Sequence, residues 1–221
     1  MMNDLSIYLA PSYYMDFASE PIQDYVRSEL AGLSQKEAAI KAYYFVRDHF
    51  RYNPYKVGFT PEEYRSSYIM TQKQSFCIPK SVLYCSLMRA VGIPSRLGLA
   101  DVINHLSSEE FIKKLGSEIF AFHGFAEIYL DGWIKATPVF DSRLCKKFGV
   151  APLDFDAEHD AMFQSFDDHG NQFMEYVKDR GVHADLPFDT IMEGFREFYP
   201  NFLTSGKKDG DLMEETVPKA T

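Results

Sequence analysis

From Cys77 to Val91 the chain reads CIPKSVLYCSLMRAV, and Val82, Leu83, Cys85, Leu87, Met88, Ala90 and Val91 cover more than one stripe of a helix. A surface helix keeps a polar face, so a helix apolar on most sides has to be enclosed by the rest of the fold. Pro79 suits the first helical turn, where its missing N–H costs nothing, and it biases Ile78 away from the α region. The helix is therefore expected to begin close to Cys77. Gly92 fits the left-handed position after the last turn, and Pro94 stops the helix resuming. This puts a cysteine where the helix dipole and free N–H groups favour an anion, so a thiolate that forms readily is expected there. The same N–H groups are suited to holding an oxyanion.

The remaining elements are read from capping, period and turn signals. An arm over residues 1–17 is expected to dock through Tyr8, Leu9 and Tyr14. A helix follows Pro21, with Ile22, Val26 and Leu30 on one face. The next opens on the capping-box pair Ser34 and Glu37 and carries Ala39, Ala42, Tyr43, Val46 and Phe50. Residues 52–75 have no clear period, although Thr60-Pro61-Glu62-Glu63 is suited to a short helical turn. After the central helix, Arg96 to Ile103 reads as a strand, and Ser107 with Glu110 opens a short helix that Gly116 closes. Phe120 to Asp141 is a hairpin signal around Asp131-Gly132. A second hairpin is expected between Ala161 and Val177, turning at His169-Gly170-Asn171, and a last amphipathic helix from about Pro187. The class is α+β: helices first, then an antiparallel sheet of about five strands, with the cysteine on the last helix before it. One domain over residues 1–204 and a polar, disordered tail over 205–221 are expected.

Composition limits the partners. The net charge is −9, and Lys and Arg form no basic stripe, which argues against a nucleic-acid backbone. No apolar run is long enough to span a bilayer and no leader pattern opens the chain, so neither a membrane nor export is expected. Three cysteines without paired spacing read as reduced thiols of a cytoplasmic protein. No cofactor or metal is expected: the CxxC pattern is absent, His159, His169 and His183 lack ligand spacing, and Asp154 to Asp160 lacks the glycine and spacing of a calcium loop. Cys85 reads as core and Cys145 as an ordinary thiol. Asn104-His105 ends the first strand beside the expected cleft.

Cys77 opening a helix, the run LMRAVGIPSRLG after it, and then HGFAEIYLDGWIKATP resemble the transglutaminase-like, papain-related superfamily over residues 35–140. The resemblance implies a papain-like core with the cysteine-bearing helix packed on an antiparallel sheet. It implies that Cys77 is the nucleophile and His123 the base paired with it. The substrate would be a protein or peptide-like amide, with water or an amine as acceptor. One position departs from the family pattern, because its usual Asp falls on Thr137, followed by the expected Pro138. The nearest acid is Asp141.

The chemistry needs a group on the second imidazole nitrogen to fix tautomer and orientation. A threonine hydroxyl accepts that hydrogen bond but carries no charge. Hairpin register separates the options. A two-residue Asp131-Gly132 loop would put His123 opposite Phe140 and turn Thr137 to the other side. A three-residue loop with a bulge would put His123 opposite Val139, on the side of Thr137 and Asp141. The triad predicts the odd-numbered loop, with Thr137 preferred and Asp141 as the alternative. For a second oxyanion donor, Gln72, Gln74 and Tyr52 are all available. Two functions follow: a thiol enzyme that forms a thioester on Cys77 from an amide, or an inactive member of the family used as a binding or scaffolding module.

Overall fold

A computed structural model describes residues 4–105, 107–163, 173–200 and 210–216. The N-terminal part is helical: α1 (Glu20–Tyr25), which runs into a π-helical turn over Val26–Leu30, and α2 (Gln35–His49). Ser34 and Glu37 form the expected capping box at the start of α2. Then come β1 (Arg51–Tyr52), a 3₁₀ turn over Pro61–Tyr64 capped by Thr60 and Glu63, α3 (Ser66–Ile69) and β2 (Gln74–Ser75). The two short strands pair in parallel and bring the chain to α4 (Cys77–Ala90).

Every residue of α4 from Cys77 to Arg89 is buried, the enclosure that its all-round apolar character requires. Its polar side chains act as ties. Lys80 Nζ donates to the carbonyls of Arg47 and Phe50, each at 2.8 Å, and so holds the C-terminal end of α2. The Arg89 guanidinium reaches the carbonyls of Ala10, Ser95 and Ala184, fastening two distant segments and the start of β3 to one helix end.

The rest builds the sheet. β3 (Ser95–Asn104), α5 (Glu109–Leu115), β4 (Ile119–Tyr129), β5 (Trp133–Ala136), α6 (Ser142–Phe148), β6 (Met174–His183) and α7 (Phe188–Phe198) follow in order. Four antiparallel strands lie in the order β5-β4-β3-β6, one fewer than expected. The expected second hairpin does not form as such. Ala161 bridges to Ala136 on one edge of the sheet, whereas Met174 pairs with Asn104 on the other, so the two arms do not pair with each other. The turn proposed at 169–171 lies outside the described residues. The cap of α5 is Ser108, whose hydroxyl accepts from Phe111 N–H, one residue later than expected.

The ends of the chain also depart from expectation. The arm docks through Tyr8 against Trp133, Tyr14 against Phe188, and a fully buried Met15, while Leu9 faces outward. Residues 210–216, in the tail expected to be disordered, pack against the domain. Leu212 is buried, Asp211 pairs with Arg51, and the Glu215 carboxylate accepts from the hydroxyls of Tyr55 and Ser108. Lys147 Nζ donates to the carbonyls of Leu212 and Glu215. Composition showed the polarity of this segment but not the buried partners waiting for it.

Candidate active site

β4 crosses the start of α4 with little space between them. A Cβ at Gly124 would come within 2.9 Å of Ile78 Cα and 3.3 Å of the Cys77 carbonyl oxygen, so only glycine allows the approach. That contact places His123, the preceding residue, on the cleft that Cys77 also lines. The backbone N–H groups of Gly124, Ile78 and Cys77 itself lie near enough to the sulfur to favour its thiolate.

Local strain sets how His123 is presented. Ala100 pairs with His123 but Val102 pairs with Phe120, so Ala121 and Phe122 together oppose Asp101 in a β-bulge. Phe122 sits at φ 59°, a left-handed conformation that a bulky residue adopts only when its surroundings require it. Those surroundings are visible. Phe122 N–H donates to Asp101 Oδ1 at 3.1 Å, and Arg180 holds the other oxygen of that buried carboxylate at 2.8 Å. The Arg180 guanidinium also lies 4.0 Å from the centre of the Phe122 ring. Ala121 N–H donates to the Tyr199 hydroxyl, which in turn donates to the Ile119 carbonyl.

Burial dominates the electrostatics. Desolvation pushes the Cys77 thiol up to about 11, against the smaller opposing pull of the neighbouring backbone N–H groups. The expected easy thiolate is therefore corrected: the dipole is present, and the dry surroundings of the sulfur overcome it. Burial likewise lowers His123 to about 4, and its Nε2 is buried without a hydrogen-bond partner. At neutral pH the two groups are a thiol and a neutral imidazole whose Nε2 has no hydrogen-bond partner.

The β4–β5 pairs run from Ala126 opposite Ala136 to Tyr129 opposite Trp133, which leaves residues 130–132 as an odd-numbered loop. Neither expected third residue is hydrogen-bonded to His123. Thr137 is buried and its hydroxyl donates to Met162 Sδ at 3.2 Å. Asp141 is fully buried; one oxygen accepts from Tyr52 N–H at 2.8 Å and the other caps α6 through Arg143 and Leu144 N–H. Of the proposed oxyanion donors, Tyr52 lines the cleft. Gln74 accepts from Asn53, and the half-buried Gln72 donates to the Tyr68 carbonyl and Thr71.

Cys85 is core, its thiol donating to the Arg96 carbonyl at 3.3 Å, while Cys145 lines the same cleft as Cys77. Asn104 is on the cleft too, and His105 Nε2 lies 3.4 Å from Glu175. Among the described residues, the cluster that combines metal-type ligands is Asp156, Glu158 and His159, all exposed. There Asp156 already accepts from Glu158 N–H, His159 N–H and the His159 ring. The parts that sequence reading missed are Gly124, Asp101, Arg180 and Tyr199. Only Gly124 carried a signal, as a glycine inside a strand pattern.

Comparison with known proteins completes the description. The chain is similar to the crystal structure of a "putative cysteine protease" from Cytophaga hutchinsonii, at 18% identity and a TM-score of 0.43. The match covers 62% of this chain and 43% of that one. No curated protein matches. The family model of the transglutaminase-like superfamily matches residues 23–138, from α1 through the β4–β5 hairpin and both Cys77 and His123. With more than half of its length matched in this way, the chain belongs to the transglutaminase-like superfamily.

Proposed function

We propose that the protein is a thiol enzyme that acts on amide bonds through a thioester on Cys77, with His123 as general base. The observation that carries this is the junction of α4 and β4, where a helix-start cysteine, an unpartnered imidazole and backbone N–H donors share one cleft. Because burial keeps both partners neutral, the reaction starts from thiol and imidazole. His123 takes the thiol proton as sulfur bonds to the acyl carbon. The C–N bond then breaks, and the imidazolium gives its proton to the departing amine. Water releases the acyl group in a peptidase or amidase, and a second amine takes it in a transglutaminase-like transfer. The N–H groups around the sulfur supply oxyanion stabilisation. A protein or peptide-like amide is the general substrate class, and Thr137 or Asp141 would have to move to orient His123.

Acylation of Cys77 by p-nitrophenyl butyrate, read by intact mass and peptide mapping, tests this, with Cys85 and Cys145 as internal controls. His123→Ala is expected to slow acylation by about 10²- to 10⁴-fold. The acid limb of the wild-type rate should lie near the His123 value of about 4, not near 6.5. Acylation of Cys77 no faster than that of the control thiols, and indifferent to His123→Ala, would remove the enzyme reading. The partners of Thr137 and Asp141, neither of them His123, favour the second reading in that case: an inactive member of the fold that binds a ligand in the cleft.

A further inference from the structure

The cleft beside Cys77 and His123 has a cavity volume of about 90 Å³ and is partly open to solvent. From the α4–β4 junction its walls extend to α5 and α6, through Phe111, Leu115, Phe120, Leu144, Phe148 and Val150. None of its described lining residues is Asp, Glu, Lys or Arg. Apart from Cys77, Cys145, His123 and two tyrosines, the polar side chains on it are Asn104 and Ser107. A peptide laid in such a cleft would strand its backbone N–H and C=O groups at about 1–3 kcal/mol each. An alkyl chain has no such groups to strand, and it gains from every methylene removed from water.

We infer that the acyl side of the substrate is a fatty-acyl chain, held in this cleft with its carbonyl at Cys77. The inference rests on Cys77 being the nucleophile and narrows what it accepts. The step is the one already written: sulfur bonds to the fatty-acyl carbonyl carbon, the bond to the leaving group breaks, and the thiol proton leaves with that group by way of His123. Cys77 then carries a fatty-acyl thioester whose chain lies between α5 and α6. Recognition thus sits on the acyl side, and the amine side of the bond is left to solvent or to an acceptor.

The test is a series of p-nitrophenyl esters, from acetyl through hexanoyl to decanoyl, below their aggregation concentrations, with acylation of Cys77 followed by intact mass. The rate constant per concentration is expected to rise about threefold per methylene, or on the order of a hundredfold from acetyl to hexanoyl. Val150→Trp, which narrows the cleft beside α6, should lower the ratio of decanoyl to acetyl transfer at least tenfold. Leu115→Trp serves the same purpose from α5 if the first variant fails to fold. A rate independent of chain length, with Cys77 still acylated, would overturn the fatty-acyl inference and leave the thiol enzyme standing. A slope that survives Cys77→Ala, or that neither folded tryptophan variant alters, would also overturn it. Acylation of Cys77 by none of the esters would remove the enzyme reading, and this inference with it.

Discussion

Gly124 shows how one residue joins the fold to the chemistry. Its missing side chain lets β4 lie against the first turn of α4, and its N–H lies near enough to the Cys77 sulfur to favour the thiolate. In Gly124→Ala the new methyl would meet backbone atoms of Ile78 and Cys77, which cannot rotate away. Stability should fall by about 1–3 kcal/mol in urea unfolding, and Cys77 acylation should fall with it. Lys80, one turn further along, makes a prediction of another kind. It is fully buried, and burial lowers its ammonium from 10.5 to about 7. Between those values the folded protein has released a proton that the unfolded chain keeps, so stability should rise with pH. The urea midpoint should increase from pH 7 to pH 9, and Lys80→Met should flatten that increase.

At the scale of elements, the bulge in β4 is the part on which His123 depends. Asp101 on β3 holds both Phe122 N–H and Arg180 on β6, so a single carboxylate fixes a left-handed residue beside the site. Asp101→Ala would strand the guanidinium and the amide together, a loss of about 3 kcal/mol in thermal or chemical unfolding. Decanoyl and acetyl transfer should drop alike, because the imidazole is displaced and the cleft is not. Local elements were legible in the sequence to different degrees. Cys77 before Pro79, Ser34 with Glu37, and the aromatic runs around Asp131-Gly132 each carry their own turn chemistry, and each stands where expected. The Asp101–Arg180 pair joins residues far apart in the chain, and no local period announces it. The acidity of Cys77 is not legible locally, because the dipole is written in the helix, whereas desolvation comes from the tertiary burial of the sulfur.

On the scale of the whole molecule, residues 210–216 tie together parts that are distant in sequence. Arg51, Tyr55, Ser108 and Lys147 all bind this one segment. Removing residues 210–221 should cost roughly 2 kcal/mol, or on the order of 5 °C in melting temperature. Iodoacetamide should then reach Cys145 faster, since Leu212 forms part of the cleft wall. Polarity made this segment look unattached, because a sequence lists a Glu215 without listing the two hydroxyls that receive it.

The register shifts have one more consequence. β3 and β4 slip between Ala100 and Val102, and β3 and β6 slip there too, between Asp101 and Val102 and again between Gly98 and Ala100. The sheet is therefore creased along one line, and pairings on one side of the crease do not dictate those on the other. His123 and the strand pairs behind it lie on one side, while the connector that carries α5 leaves from the other. That connector is joined to the sheet only beyond the crease, although Ser108 and Phe111 tie it to Glu215 and Tyr55. Its length and its Phe111 and Leu115 can change what the cleft accommodates, while the histidine keeps its address. If the proposed chemistry holds, changes in that connector would alter the cleft wall without changing the strand pairing that carries His123.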